Sequence, residues 1–480
     1  MSESLFTTLK RSVFDEVSID QVYQDIRDTY LANDYPWVVG YSGGKDSTTL
    51  LQLAWYALAG LPQEQRTKPV YVLSSDTLVE TPMIVDYIDT ALRQINETAR
   101  RDELPFDAHK VVPRTTDTFW VNLIGRGYPA PYSNFRWCTD RMKIQPANRF
   151  ILECVAKYGE VVMLLGVRRA ESARRAQAMN GHARKGKNLS YHHDLRGAYV
   201  YTPIEDWTVD DVWQYLLQVP SPWGGNNRDL AALYQTAQAG ECPLVIDKTT
   251  PSCGGSRFGC WTCTVVTKDK AMESMIDSGE EWMQPLVDFR DELAATQDPS
   301  VKPMIREHKR RNGRVEERDG HFVWGPYTAE YRKHLLRRLL ETQLAVRREG
   351  PDPQMHLITE AELHEIRRLW RTEMQDWDDS VPLIYREVTG ENLPGTTAER
   401  GAFSGREKTV LARIAQQHGV PDELVLKLVD LESQMYGMMR RTAVQTKIDQ
   451  VLGEDWRSRD EVLRTAETLQ GVAAISADDE

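Results

Sequence analysis

The period of the hydrophobic positions changes several times along this chain, and the changes mark out elements. Ser18 with Gln21 forms a capping-box pattern that opens a helix, and Val22, Ile26 and Tyr30 then share one face. Residues 36–41 (PWVVGY) are an apolar run of strand length, followed by a glycine-rich turn and a helical stretch over 48–59 that Gly60 stops. A second strand is predicted over 70–73, ending near Asp76, then a helix over 82–96 and a short strand over 110–113. A helix over 140–158, a buried strand over 161–167, a strand-like stretch over 199–203 and a helix over 208–217 complete the series. Strands that alternate with helices in this way predict an α/β fold whose parallel sheet is covered on both faces.

After Pro220 the texture changes. A turn-rich connection (SPWGGNN, 221–227) leads into residues 240–263, where cysteines lie among Gly, Pro and Ser. From about residue 268 helical patterns dominate; Leu424, Leu428, Leu431 and Met435 follow one face, and 389–405 reads as a loop. The expected organisation is a nucleotide-binding domain over 1–225, a Cys-rich segment over 226–267 and a mainly helical domain over 268–480. Length and composition fit that division: 480 residues exceed one ordinary core, and 41% hydrophobic residues suffice for several. The net charge of −12 argues against passive whole-surface binding to DNA but leaves room for a local basic groove. No apolar run has the length of a membrane span, and the first 16 residues lack a signal-peptide core, so a cytoplasmic location without membrane attachment is expected.

The candidate chemistry begins at Ser42-Gly43-Gly44-Lys45-Asp46-Ser47. A glycine turn between a buried strand and a helix aims backbone N–H groups and the helix dipole at one point, which favours a phosphate. Gly43 and Gly44 permit the turn, Lys45 adds positive charge, and Ser42 and Ser47 add hydroxyls. The spacing is not that of the Walker loop. Four of the six cysteines, Cys242, Cys253, Cys260 and Cys263, fall within 22 positions and end in a tight C-x-x-C. Four thiolates complete a site for zinc or for an iron–sulfur cluster, and spacing alone does not choose between them. Cys154 falls on an apolar helical position and reads as core, as do Trp207 and Trp213.

The loop YSGGKDS resembles the signature of the PP-loop ATP pyrophosphatases, which split ATP between its α and β phosphates. Four further segments, in order, resemble the phosphoadenosine phosphosulfate reductase-like branch: SDTLVETP (75–82), RWCTDRMKIQP (136–146, with one extra residue before its Lys), GVRRAES (166–172) and TPIEDWTVDDVW (202–213). The order of parts and the cysteine arrangement are similar to the DndC family of DNA phosphorothioation sulfurtransferases. The resemblance implies a Rossmann-like PP-loop sheet, ATP as ligand and a [4Fe–4S] cluster on Cys242, Cys253, Cys260 and Cys263. Residues 42–47 with Asp76, Arg141, Lys143, Gly166 and Arg168 are expected to bind the nucleotide. Arg168 and Arg141 are expected to grip phosphate, and Asp46 and Asp76 to hold Mg2+. Lys45, Asp46 and Cys138 are the expected catalytic residues. Cys138 has three open roles: persulfide carrier, cluster ligand or structural thiol. The cluster-bearing sulfonucleotide reductases carry a Cys-Cys pair where Cys138 stands between Trp137 and Thr139, which speaks against a reductase.

Two runs are basic enough to neutralise a nucleic-acid backbone. Residues 168–187 hold Arg168, Arg169, Arg174, Arg175, Arg184, Lys185 and Lys187, and residues 306–314 hold Arg306, Lys309, Arg310, Arg311 and Arg314. The expected function is ATP-dependent sulfur insertion into a DNA backbone phosphate, with DNA as acceptor, a cysteine desulfurase as sulfur donor and other phosphorothioation proteins as partners. A sulfonucleotide reductase and a tRNA thiolase are the enzymatic alternatives, and a nucleotide-sensing iron–sulfur scaffold the non-enzymatic one.

Overall fold

A computed structural model of the chain describes residues 12–169, 184–185, 188–237, 259–318, 321–396, 404–435 and 442–464. Residues cluster into two compact units, one spanning 1–114 and 135–283, the other 115–134 and 284–480. The second unit thus takes in a stretch, 115–134, that lies between strands and helices of the first.

The first unit is a layered α/β structure. Helix α1 (Ile19–Leu31) opens with the Ser18/Gln21 capping box and buries Val22, Ile26, Thr29 and Tyr30. Strand β1 (Trp37–Gly40) is buried at Trp37, Val38 and Val39. Burying each of its valines stabilises the sheet by about 1.5 to 3 kcal/mol relative to exposure. There follow α2 (Lys45–Ala59), β2 (Val70–Ser75), α3 (Pro82–Arg101), β3 (Phe106–Val111), α4 (Gln145–Tyr158) and β4 (Val161–Leu164). Strands β5 (Arg184–Lys185), β6 (Leu189–Tyr191) and β7 (Ala198–Tyr201) and helices α5 (Val209–Gln218) and α6 (Asn227–Ala237) continue the unit.

The strand order is β3-β2-β1-β4-β7-β6-β5. The five strands from β3 to β7 pair in parallel, with Trp37 opposite both Val70 and Val162, while β6 and β5 add an antiparallel edge. From β1 the chain passes outward to β2 and β3, then returns to β4 on the other side. The order therefore reverses between β1 and β4, and in open α/β sheets that crevice at the carboxyl ends of the strands is where ligands bind. Thr208 and Asp211 close a capping box on α5, and Cys154 packs with Val38, Leu73, Ile151 and Val161 as its apolar position predicts.

Three elements differ from the sequence reading. The third strand is Phe106–Val111, longer and earlier than 110–113, because its edge position leaves polar Asp107 and Lys110 exposed. The helix expected over 140–158 starts as a π-helix, Thr139–Ile144, and becomes α-helical at Gln145, with Pro146 in the first turn. On the helix Asp422–Gln434 the most buried position is Leu426, not one of the leucines picked out by spacing.

The second unit is mainly helical. Helix Ala329–Glu349 buries Leu335, Leu336, Leu339, Leu340 and Val346, and helix Glu360–Glu373 buries Leu363, Ile366, Leu369 and Trp370. A π-helix, Val121–Gly125, is buried throughout and ties to this core through Trp370 Nε1, which donates to the Ile124 carbonyl at 3.1 Å. Three helices, Gly405–Gln417, Asp422–Gln434 and Thr442–Leu452, follow. No helix among the described residues is long and apolar enough to cross a membrane.

Candidate nucleotide and cysteine site

The glycine loop leaves β1 at the reversal of strand order and runs into the N-terminus of α2. Gly43 sits at φ 72°, a backbone conformation that side chains rarely adopt, and a Cβ there would lie 3.1 Å from the Tyr87 ring. Gly44 is the N-cap of α2 and offers no side-chain cap, so the first N–H groups of that helix have no capping side chain from their own turn. The loop is braced from within. The Ser42 N–H and hydroxyl lie 3.2 Å from the Ser47 hydroxyl, which donates to the Gly44 carbonyl at 3.0 Å.

The end of β4 closes on this loop from the other side of the crevice. A Cβ on Gly166 would fall 2.7 Å from the Asp46 carbonyl oxygen, so only a hydrogen fits there. That approach brings buried Arg168 to Asp46, with Nε donating to Oδ1 at 2.6 Å. Lys45 Nζ meets the other Asp46 oxygen at 2.9 Å. The carboxylate expected to hold Mg2+ therefore spends its charge on two cations of the protein. Asp76, just past β2, behaves alike: it accepts from the Leu78 N–H at 2.8 Å and pairs with Lys110 at 3.3 Å. Among the described residues no group of three or more His, Cys, Asp or Glu is placed to hold a metal ion.

The segment after β2 also seats the C-x-x-C. Glu80 and Cys260 form an antiparallel bridge; the Trp261 N–H donates to the Val79 carbonyl at 3.0 Å, and the Thr81 hydroxyl donates to the Gly259 carbonyl at 3.2 Å. The Cys260 sulfur lies 3.3 Å from the Thr77 hydroxyl and 3.7 Å from the Glu80 carboxylate. Burial, and then the charge of Glu80, push the Cys260 thiol far above its usual range. Cys263 closes the turn with its N–H donating to the Cys260 carbonyl at 3.0 Å.

Cys138 joins these two. Its thiol is raised first by burial and then by the charge of Cys263, and it also acts on Cys260. Lys143 lies 3.4 Å from Glu80 and is pushed up by Cys260 first, then by Glu80 and Cys138. The π-helix explains how. Hydrogen bonds from i to i+5 take up one residue more than an α-turn. The residue inserted between Cys138 and Lys143 is thereby absorbed, and both side chains come to the C-x-x-C. Arg141 lies in the same π-helix. Of the expected cluster ligands, Cys242 and Cys253 lie outside the described residues.

The basic runs fare differently. Arg168 and Arg169 are held by Asp46 and by Glu205 and Asp206; residues 170–183 and the side chains of Arg184 and Lys185 lie outside the description, and Lys187 likewise. In the second unit, Arg306 is buried and donates to the carbonyls of Gly325 at 2.5 Å and Trp324 at 3.2 Å. Lys309 is buried against Glu423 at 2.7 Å, Arg310 faces Glu316 at 3.2 Å, and Arg311 reaches Glu373 at 3.1 Å. Arg306 and Lys309 are thus buried bracing, Arg310 and Arg311 form ion pairs nearer the surface, and Arg314 is exposed.

Sequence reasoning missed two contributors. Glu80 lies in the segment 75–82, whose spacing gives it no role, and it proves to be the carboxylate at Cys260. Tyr234, 189 positions from Lys45, places its hydroxyl 3.3 Å from the Lys45 N–H; no spacing signal could have found it.

Parts of the chain are similar to known proteins. Residues 36–266 match the phosphoadenosine phosphosulfate reductase domain, and residues 406–453 match a small protein found in certain Dnd DNA modification systems. An uncharacterised protein of Methanocaldococcus jannaschii is 27% identical over 198 residues, 41% of this chain; the match spans 35% of that protein's length. Similar solved structures include a phosphoadenylyl-sulfate reductase from Candida auris in a phosphate complex, 16% identical, covering 44% of this chain and 84% of that one at a TM-score of 0.27. Another is the U34-tRNA thiolase NcsA from Methanococcus maripaludis with its [4Fe–4S] cluster, 16% identical, covering 46% of this chain and 72% of that one at a TM-score of 0.28. Residues 36–266 are thus similar to a phosphoadenosine phosphosulfate reductase domain, and the same polypeptide holds, at 406–453, a segment similar to a Dnd-system small protein.

Proposed function

We propose that this protein is an ATP-dependent sulfurtransferase that activates a DNA backbone phosphate for phosphorothioation. The observation that carries the sulfur chemistry is the seating of Cys260 on Thr77 and Glu80, in the loop after β2, at the same sheet edge as the phosphate loop. The acceptor is chosen by the resemblance of residues 406–453 to a Dnd-system protein, which also supports other Dnd proteins as partners.

In this reading the N-terminus of α2 and the loop 42–47 take the phosphates of ATP, and Arg141, Lys143 and Arg168 add positive charge that favours an anion. A nonbridging oxygen of the DNA phosphate attacks the α phosphorus, and pyrophosphate leaves. A cysteine desulfurase draws sulfur from cysteine as a persulfide, a further thiol reduces that persulfide to hydrosulfide and is itself oxidised to a disulfide, and the hydrosulfide attacks the DNA phosphorus; its proton passes to solvent and AMP leaves with the former phosphate oxygen. Cys138 interacts electrostatically with Cys260 and Cys263, and in this reading it either carries the sulfur or ligates the cluster. Cys260 and Cys263 are half-buried thiols, and in this reading they would hold a [4Fe–4S] cluster together with Cys242 and Cys253. Such a cluster supplies a redox-active or sulfur-binding centre. Asp46 and Asp76 are paired with protein cations, so they do not present a Mg2+ site of their own, and no step here depends on one.

The test is an anaerobic reaction of the full chain with ATP, duplex DNA, a cysteine desulfurase and cysteine, followed by nuclease digestion and mass spectrometry. Phosphorothioate dinucleotides are the expected product, and the purified protein should be brown with about four irons per chain. Neutralising Arg174, Arg175, Arg184 and Lys185 should flatten the salt dependence of DNA binding, by up to about 0.9 per lost phosphate contact in the log–log slope. Thiolated tRNA or a reduced sulfonucleotide as the product, with DNA unchanged, would overturn the assignment.

A further inference from the structure

The N-terminus of α2 is already occupied by the protein itself. Tyr234, on α6, sets its hydroxyl 3.3 Å from the Lys45 N–H, the first residue of the helix. It thereby supplies from a distant element the acceptor that the uncapped Gly44 lacks. A Cβ on Gly44 would lie 3.1 Å from this hydroxyl, so the phenol is pressed against the loop backbone. Lys45 Nζ folds back, 5.3 Å from the centre of the Tyr234 ring, while bound to Asp46. Trp213 of α5 meets the ring edge-on at 5.2 Å and 83°, which fixes its direction.

One N–H serves one strong acceptor at a time. A phosphate oxygen that takes the Lys45 N–H must displace the phenol, and being charged it is the stronger acceptor. We propose that Tyr234 is a stopper: it caps the phosphate loop when no nucleotide is bound, is pushed aside by an entering phosphate, and reseats as pyrophosphate leaves. Its departure also frees Lys45 to turn from the aromatic face toward the phosphates. The stopper lowers the affinity of the loop for ATP and for pyrophosphate alike, which favours release of the product. This inference rests on the reading of residues 42–47 as the ATP site.

The test compares the full-length wild type with Tyr234→Phe, which keeps the ring against Trp213 and Lys45 and removes only the acceptor. Binding of ATP, inorganic pyrophosphate and adenosine is measured by calorimetry. Tyr234→Phe should bind ATP and pyrophosphate about 2- to 10-fold more tightly, the worth of one ordinary hydrogen bond, with adenosine unchanged. In a second measurement, fluorotyrosine placed at position 234 should shift its fluorine resonance when pyrophosphate is added. Unchanged or weaker phosphate binding by the variant, or an unmoved resonance, overturns the stopper while leaving the ATP site in place. Failure of the wild type and the variant alike to bind ATP or pyrophosphate overturns the site reading and the stopper with it.

Discussion

The loop 42–47 and the run 306–314 both looked, as sequence, like places to hold a phosphate, and the structure separates them. In the loop the cations are few, but the backbone does the aiming: a helix begins there with no capping side chain of its own N-cap residue, only the distant Tyr234 hydroxyl, at the point where the strand order reverses. In the run the cations are many, yet Arg306 spends its donors on backbone carbonyls and Lys309 and Arg311 spend their charge on carboxylates. The lesson is that charge count measures what a segment must neutralise somewhere, while helix geometry and topology determine where a ligand is received.

Substitutions can break this contrast, and the largest stability effect is expected at Asp46. Asp46→Ala strands the buried Arg168 guanidinium, so denaturation should show a loss of about 3 kcal/mol and pyrophosphate release should vanish. Arg306→Ala should cost about 2 to 3 kcal/mol in the same measurement, because two carbonyls lose a charged donor, while DNA affinity and its salt dependence stay as they were. A clear drop in the salt slope for Arg306→Ala would return the run 306–314 to the ligand-binding class. Gly166→Ala forces a methyl against the Asp46 backbone and should cost about 2 kcal/mol, with weakened ATP binding in calorimetry. Ser47→Ala is mildest for the fold, about 1 kcal/mol, because one hydroxyl bridge is lost. It should nonetheless abolish pyrophosphate release, which makes it a cleaner probe of the loop than Asp46→Ala.

Much of the first unit was legible because local rules and the fold agree there: the capping box at Ser18, the apolar β1, the glycine loop, the helix after Pro82 and the helix after Thr208 all sit where the sequence reading put them, within a few residues. Strand β3 was misjudged because an edge strand need not be apolar on both faces. The π-helix at 139–144 was visible only as one residue too many before Lys143, a signal without meaning until the backbone showed how the excess is absorbed. Residues 115–134 carried no clue that they belong with the second unit. Contacts such as Glu80 with Cys260 and Tyr234 with Lys45 join positions nearly two hundred residues apart, and periodicity reports only on neighbours.

The central claim is that a DNA phosphate oxygen attacks the α phosphorus of ATP held at residues 42–47. The most direct measurement uses DNA whose nonbridging phosphate oxygens carry oxygen-18, incubated anaerobically with the protein, ATP, a cysteine desulfurase and cysteine, with the AMP analysed by mass spectrometry. The account predicts AMP that has gained heavy oxygen in step with phosphorothioate formation, and none with Ser47→Ala. Phosphorothioate formed alongside AMP of ordinary mass would contradict it, because the phosphate would then have been activated by some route other than attack on ATP.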